Sequence, residues 1–119
     1  MIRAVAVTAA LFVAQAASAE VVASASAGDV RVLDKITGVV TDLTIGVGQT
    51  VEVGHLTIQL GDCRYPVDNP SGNAYGELTI LYRDAPAPVF QGWMIAAAPA
   101  LNALDHPRYD VWMLRCITQ

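Results

Sequence analysis

The densest collection of chemically capable side chains is Asp105-His106-Pro107-Arg108-Tyr109-Asp110, where carboxylate, imidazole, guanidinium and phenol fall within six positions. Such a set could bind a polar ligand, and Asp105 with His106 could serve a small hydrolase as a carboxylate–imidazole pair. The same residues could instead tie down a loop, with Asp105 or His106 holding backbone and Arg108 paired to Asp110 or Asp62. Nucleophilic catalysis has little else to draw on. Ser24 and Ser26 lie in a small-residue stretch, and Ser71 sits in a Pro-Gly turn with no nucleophile elbow around it. His55 follows Gly54 and reads as a turn residue; it stands 51 positions from His106, with no zinc-ligand spacing between them. Asp68-Asn69-Pro70-Ser71-Gly72-Asn73 offers oxygen ligands but lacks the alternating acids and terminal Glu of a calcium loop, so it reads as a turn. No metal or other cofactor is expected.

Cys63 and Cys116 are the two cysteines. They are far from a Cys-X-X-Cys redox arrangement and fall in segments that read as strands. Their chemistry depends on compartment, which the start of the chain addresses. Met1-Ile2-Arg3 carries a positive charge, Ala4 to Ala14 is apolar apart from Thr8, and Ala17-Ser18-Ala19 supplies small residues for signal peptidase. This predicts a secretory leader over residues 1–19, cleavage before Glu20 and a periplasmic product. Glu20 is not the cysteine a lipoprotein would need. In an oxidising compartment, Cys63–Cys116 is the one intramolecular bridge available, and it would close a loop of about 54 residues.

Without Arg3 the seven basic residues fall to six against eleven acidic ones, a formal charge of −5 on the roughly 100 remaining residues. That length suits one domain, and an acidic exported domain argues against a nucleic-acid partner. The longest apolar run after the leader, Trp93 to Leu101, is about half of the roughly 20 residues a membrane helix needs, and Pro99 interrupts it, so no membrane span is expected.

The elements that would carry these residues are mostly strands. Residues 20–28 are small and weakly patterned and read as a flexible tether before a single β domain over 29–119. Val30–Asp34 has strand character, and Gly38 can complete a reversal. Val39, Thr41, Leu43, Ile45 and Val47 then alternate with Val40, Asp42, Thr44 and Gly46. Val51–Val53 is a short strand. Leu56, Ile58 and Leu60 open another that runs into Cys63; Leu78, Ile80 and Tyr82 mark a further one, and Val89–Ile95 follows. Pro99 begins a helical turn in which Leu101 and Leu104 share a face, and Tyr109, Val111 and Met113 define the last strand. The prediction is a mainly β fold: a small antiparallel sandwich or barrel of about seven strands with one short helical turn.

Two blocks resemble a known family. The first is Gly61-Asp62-Cys63-Arg64-Tyr65-Pro66 with Asp68-Asn69-Pro70 and Ala74-Tyr75. The second is Val89 to Ala96, then Pro99-Ala100-Leu101, then Ala103 to Trp112 and Leu114-Arg115-Cys116. Together they resemble the DUF2155 family, a bacterial domain of unknown function, across about Val30 to Cys116. The resemblance implies a small exported protein with paired cysteines and assigns no catalytic residue.

The expected function is therefore non-catalytic: an envelope accessory or interaction module that docks on another envelope protein. Its expected surface comprises Phe90, Trp93, Met94, Asp105, His106, Arg108, Tyr109 and Trp112. A cell-wall glycan or other small polar ligand, held on aromatics beside carboxylates, is the alternative, and a hydrolase at Asp105 and His106 a third.

Overall fold

The computed structural model describes residues 3–11 and 19–118. Residues 3–11 are exposed and carry no regular secondary structure, and the expected leader's residues 1–2 and 12–18 lie outside the described residues. Among the described residues, no helix is long and apolar enough to cross a membrane.

The described residues form eight strands: β1 (Val22–Ser24), β2 (Ala27–Asp34), β3 (Val40–Gly46), β4 (Thr50–Val53), β5 (Leu56–Pro66), β6 (Tyr75–Tyr82), β7 (Phe90–Ile95) and β8 (Tyr109–Ile117), with a 3-10 turn at Pro99–Leu101. All pairings are antiparallel. The first sheet runs β1-β5-β6-β7, and β4 lies beyond β1 along the same side of β5. The second is β3-β2-β8. The expectation of a mainly β fold with one helical turn holds, and the architecture is the sandwich. No ladder joins β3 to β4 or β7 to β8, so it does not close into a barrel.

The alternation read in the sequence is the cause of this layering. Val30 and Val32 of β2, Ile45 of β3, Leu56, Ile58 and Leu60 of β5, Leu78 and Ile80 of β6, and Val111 and Met113 of β8 all turn inward and are buried. Each such aliphatic side chain contributes about 1.5–3 kcal/mol on burial. The chain passes between the sheets three times, and two of the crossings, β1 to β2 and β3 to β4, lie side by side. Ala25 N–H donates to Cys63 O at 2.7 Å, Val47 N–H to Ser26 O at 2.8 Å and Gly48 N–H to Leu60 O at 2.7 Å, which stitches this corner together.

Two β-bulges break the alternation, and both serve the cysteines. On β5, Leu60 faces Leu78 and Asp62 faces Glu77, leaving Gly61 as the extra residue. On β8, Met113 faces Val30 and Arg115 faces Asp29, leaving Leu114 as the extra one. Strict alternation from Leu56 and from Tyr109 would aim both cysteines outward. Each bulge reverses the parity, so Cys63 and Cys116 face each other across the sandwich and form a disulfide with Cα atoms 5.8 Å apart. Stacked sheets ordinarily lie about 10 Å apart. Glycine permits the closer approach: Gly76 is the cross-strand neighbour of Cys63, and Gly28 that of Cys116. A Cβ on Gly28 would lie 2.6 Å from Met113 Cε and 2.9 Å from Cys63 Sγ.

Two local expectations are corrected. The presumed tether over 20–28 contributes β1 and the start of β2. β4 covers only Leu56–Gln59 of β5, so Val22–Ser24 can occupy the remaining edge opposite Arg64–Pro66. Leu101 and Leu104 do not share a face, because the 3-10 turn ends at Leu101 and Asn102 is extended; Leu101 is exposed and Leu104 buried.

Candidate functional site

The Asp105–Asp110 segment forms a structural knot. Antiparallel pairing sets Asp34 opposite Tyr109, which brings the Asp34–Gly38 turn against this segment. His106 is buried, and its Nδ1 accepts the N–H groups of Arg108 at 3.0 Å and Tyr109 at 3.2 Å. Its ring packs against Tyr82 in a tilted arrangement with centroids 4.5 Å apart, and its carbonyl accepts Lys35 Nζ at 2.6 Å. Arg108 donates Nη2 to Asp34 at 2.9 Å, while Asp34 also accepts the N–H groups of Ile36 and Thr37. Hydrogen bonds from Arg108 above all, and then from those two N–H groups, hold the Asp34 pKa at about 2. Lys35 reaches Asp110 at 3.6 Å, and Arg64 donates to Asp62 at 2.9 Å. The expected pairing of Arg108 with Asp110 or Asp62 is thus replaced by Asp34, a partner 74 positions away that only strand register reveals. Tyr109 is fully buried, and its hydroxyl accepts His55 N–H at 3.1 Å over Gly54, whose φ is +58°.

The residues expected to form one surface are divided by the fold. Phe90, Met94, His106 and Tyr109 are buried. Inward strand positions account for three of them, and the knot accounts for His106. Arg108 is held by Asp34, and Asp105 is exposed on the loop. Trp93 and Trp112 are half-buried on the outer faces of different sheets, Trp112 lying in a cross-strand row with Arg31, which pairs with Asp42 at 2.8 Å. Among the described residues, no three His, Cys, Asp or Glu side chains converge as metal ligands.

One of these residues does sit in a groove. Val22 of β1, Arg64 of β5, Tyr75 of β6, and Trp93 and Ile95 of β7 line a depression of about 280 Å³ on the outer face of the first sheet. Register places Arg64 opposite Tyr75, and Tyr75 opposite Ile95. The Arg64 guanidinium lies over the Trp93 ring, 4.8 Å from its centroid, a favourable cation–π arrangement. Tyr75 donates its hydroxyl to Glu20 at 2.7 Å and accepts Asn73 Nδ2 at 3.2 Å. The Glu20 carboxylate, ahead of burial, raises the Tyr75 pKa. Asn102 Nδ2 donates to Trp93 O at 2.9 Å and fixes the strand beneath the indole. Sequence reasoning identified Trp93 and missed Arg64 and Tyr75. Alternation from Leu56 turns Arg64 inward, and only the Gly61 bulge brings it out.

Residues 28–116 match the family model described as an uncharacterized protein conserved in bacteria, DUF2155. An uncharacterized protein of Rickettsia prowazekii (strain Madrid E) is 28% identical over 92 residues, covering 75% of this chain and 59% of that protein. The chain thus spans less than two thirds of that relative's length. No solved structure matches. The family match contains both cysteines, both bulges and most of the groove, and the chain belongs to the DUF2155 family of uncharacterized bacterial proteins.

Proposed function

We propose that this is a non-catalytic periplasmic domain, freed from a leader over residues 1–19, that docks on another envelope protein through the groove around Trp93. The observation that carries the reading is the Arg64 guanidinium stacked on Trp93 beside an open apolar depression. Trp, Tyr and Arg dominate the energetics of protein interfaces, above all where they are already ordered before binding. The knot supports the same reading from the other side. His106 is buried and spends its Nδ1 lone pair on two backbone N–H groups, a structural use of the ring.

The polar rim of Glu20, Asn73 and Tyr75 favours a second reading, a cell-wall glycan ligand. One feature weighs against it: one face of the Trp93 ring is taken by Arg64. A change in Trp fluorescence on titration with muropeptides would favour the glycan.

The test is a photo-crosslinking amino acid placed at Tyr75 in the full chain in its native host. One predominant adduct is expected, lost on Arg64→Glu and absent when the crosslinker stands at Glu52. No adduct, or equal adducts from both positions, contradicts the reading.

A further inference from the structure

We infer that the free edge of β3 is a second binding site, which takes an extended strand of another protein and lodges an apolar side chain of that strand between the two sheets. The backbone supplies the first part of the argument. Asp34 N–H donates to Val39 O at 3.0 Å. In an antiparallel ladder bonded pairs alternate, so with Asp34 and Val39 bonded, Thr41 and Leu43 also bond to β2. The N–H and C=O groups of Val40, Asp42 and Thr44 consequently point to the open side. Among the described residues, no other strand or side chain meets them. On the β7 edge of the other sheet, by contrast, Asn102 caps Trp93 O. The β3 edge has neither Lys nor Pro to discourage pairing.

The second part is a gap beside that edge. β3 and β4 diverge beyond the corner at Val47–Gln49 and leave a cavity of about 210 Å³. Val32, Val39, Thr41, Val53 and Tyr109 line it. Val39 lies on the inward face by parity yet is 59% exposed, because β4 does not cover it. The cavity is on the scale of a side chain and below that of a small-molecule site. Its one charged wall, Asp34, is already matched by Arg108, so a neutral apolar side chain suits it.

Together, unpaired backbone and an adjoining pocket are what strand addition uses: main-chain hydrogen bonds bind, and alternate side chains select. A second copy of this chain fits poorly. The inward Leu43 and Ile45 of its own β3 pack in its own core, Ile45 fully buried, and cannot also fill the gap here; Val39 alone stands free, at the strand's end. The occupant is therefore a foreign strand with apolar residues at every second position.

The experiment pans a phage-displayed random nonapeptide library against the purified, disulfide-bonded protein. Selected peptides are expected to alternate apolar residues. Their affinity should fall at least tenfold when alternate peptide amides are N-methylated and on Val39→Glu, an exposed position the fold tolerates. It should be unchanged on Trp93→Ala. Absence of enrichment, selected peptides without alternation, or binding indifferent to Val39→Glu or to N-methylation overturns the inference. So does binding abolished by Trp93→Ala. A concentration-dependent dimer lost on Val39→Glu would assign the edge to a second copy and equally overturn it.

Discussion

Replacing both Cys63 and Cys116 by Ala removes a link between positions 53 apart in the chain. Loop-closure entropy assigns about 4 kcal/mol to a bridge of this span. Domains near this size lose about 4–8 °C of Tm per kcal/mol, so the bridgeless variant should melt on the order of 20 °C below the oxidised protein. That is a large share of the roughly 5–15 kcal/mol by which such domains are stable. The packing around the bridge makes a sharper test. A methyl group on Gly28 meets Met113 Cε, which can swing away, and Cys63 Sγ, which the bridge holds in place. Gly28→Ala in the oxidised protein should therefore cost about 1–3 kcal/mol through overpacking. With Cys63→Ala and Cys116→Ala already in place, most of that cost should vanish. Urea and thermal denaturation of the four proteins in this cycle measure both terms. The reasoning fails if the bridgeless variant melts within a few degrees of the parent, or if Gly28→Ala costs the same with and without the bridge.

The knot and its neighbours yield three further expectations. Asp34 has its pKa lowered to about 2, so its contribution is complete above the unfolded value of about 4 and is lost as pH falls from there towards 2. Tm measured across that window should drop in the parent and flatten in Asp34→Asn. His106→Ala strands the N–H groups of Arg108 and Tyr109 and removes the ring against Tyr82; urea titration should show a loss of about 1–3 kcal/mol. Gly54→Ala combines a left-handed φ of +58° with a clash against the Tyr109 hydroxyl 2.5 Å away, so it should cost upwards of about 1 kcal/mol. Adding Tyr109→Phe should reduce that cost in denaturation measurements.

The mainly β class was legible because β-branched and apolar residues alternate over long stretches, and because turns fall at Gly38, Gly48 and Gly54, all of positive φ. The disulfide was legible from the expected leader and the cysteine count. Its geometry was not. A bulge leaves no mark in local composition, yet the extra residues Gly61 and Leu114 decide which way Cys63, Arg64 and Cys116 point. β1 escaped notice because Val22-Ala23-Ser24 has little pattern of its own; it is a strand because β5 outruns β4 and offers an edge. The ion pair between Asp34 and Arg108 is likewise a product of register. Grouping eight residues into one surface failed for a related reason. Sequence proximity in Phe90–Ile95 and Asp105–Trp112 interleaves inward and outward positions, and the outward ones lie on opposite faces of the sandwich.

The proposed binding site is the groove around Trp93. The most direct measurement is the affinity of the protein for the partner crosslinked at Tyr75, once that partner is purified, compared between the parent and Trp93→Ala. A loss of about thirtyfold is expected, the equivalent of the about 2 kcal/mol of an interface anchor, with the fold retained. Equal affinity in the two proteins would contradict it.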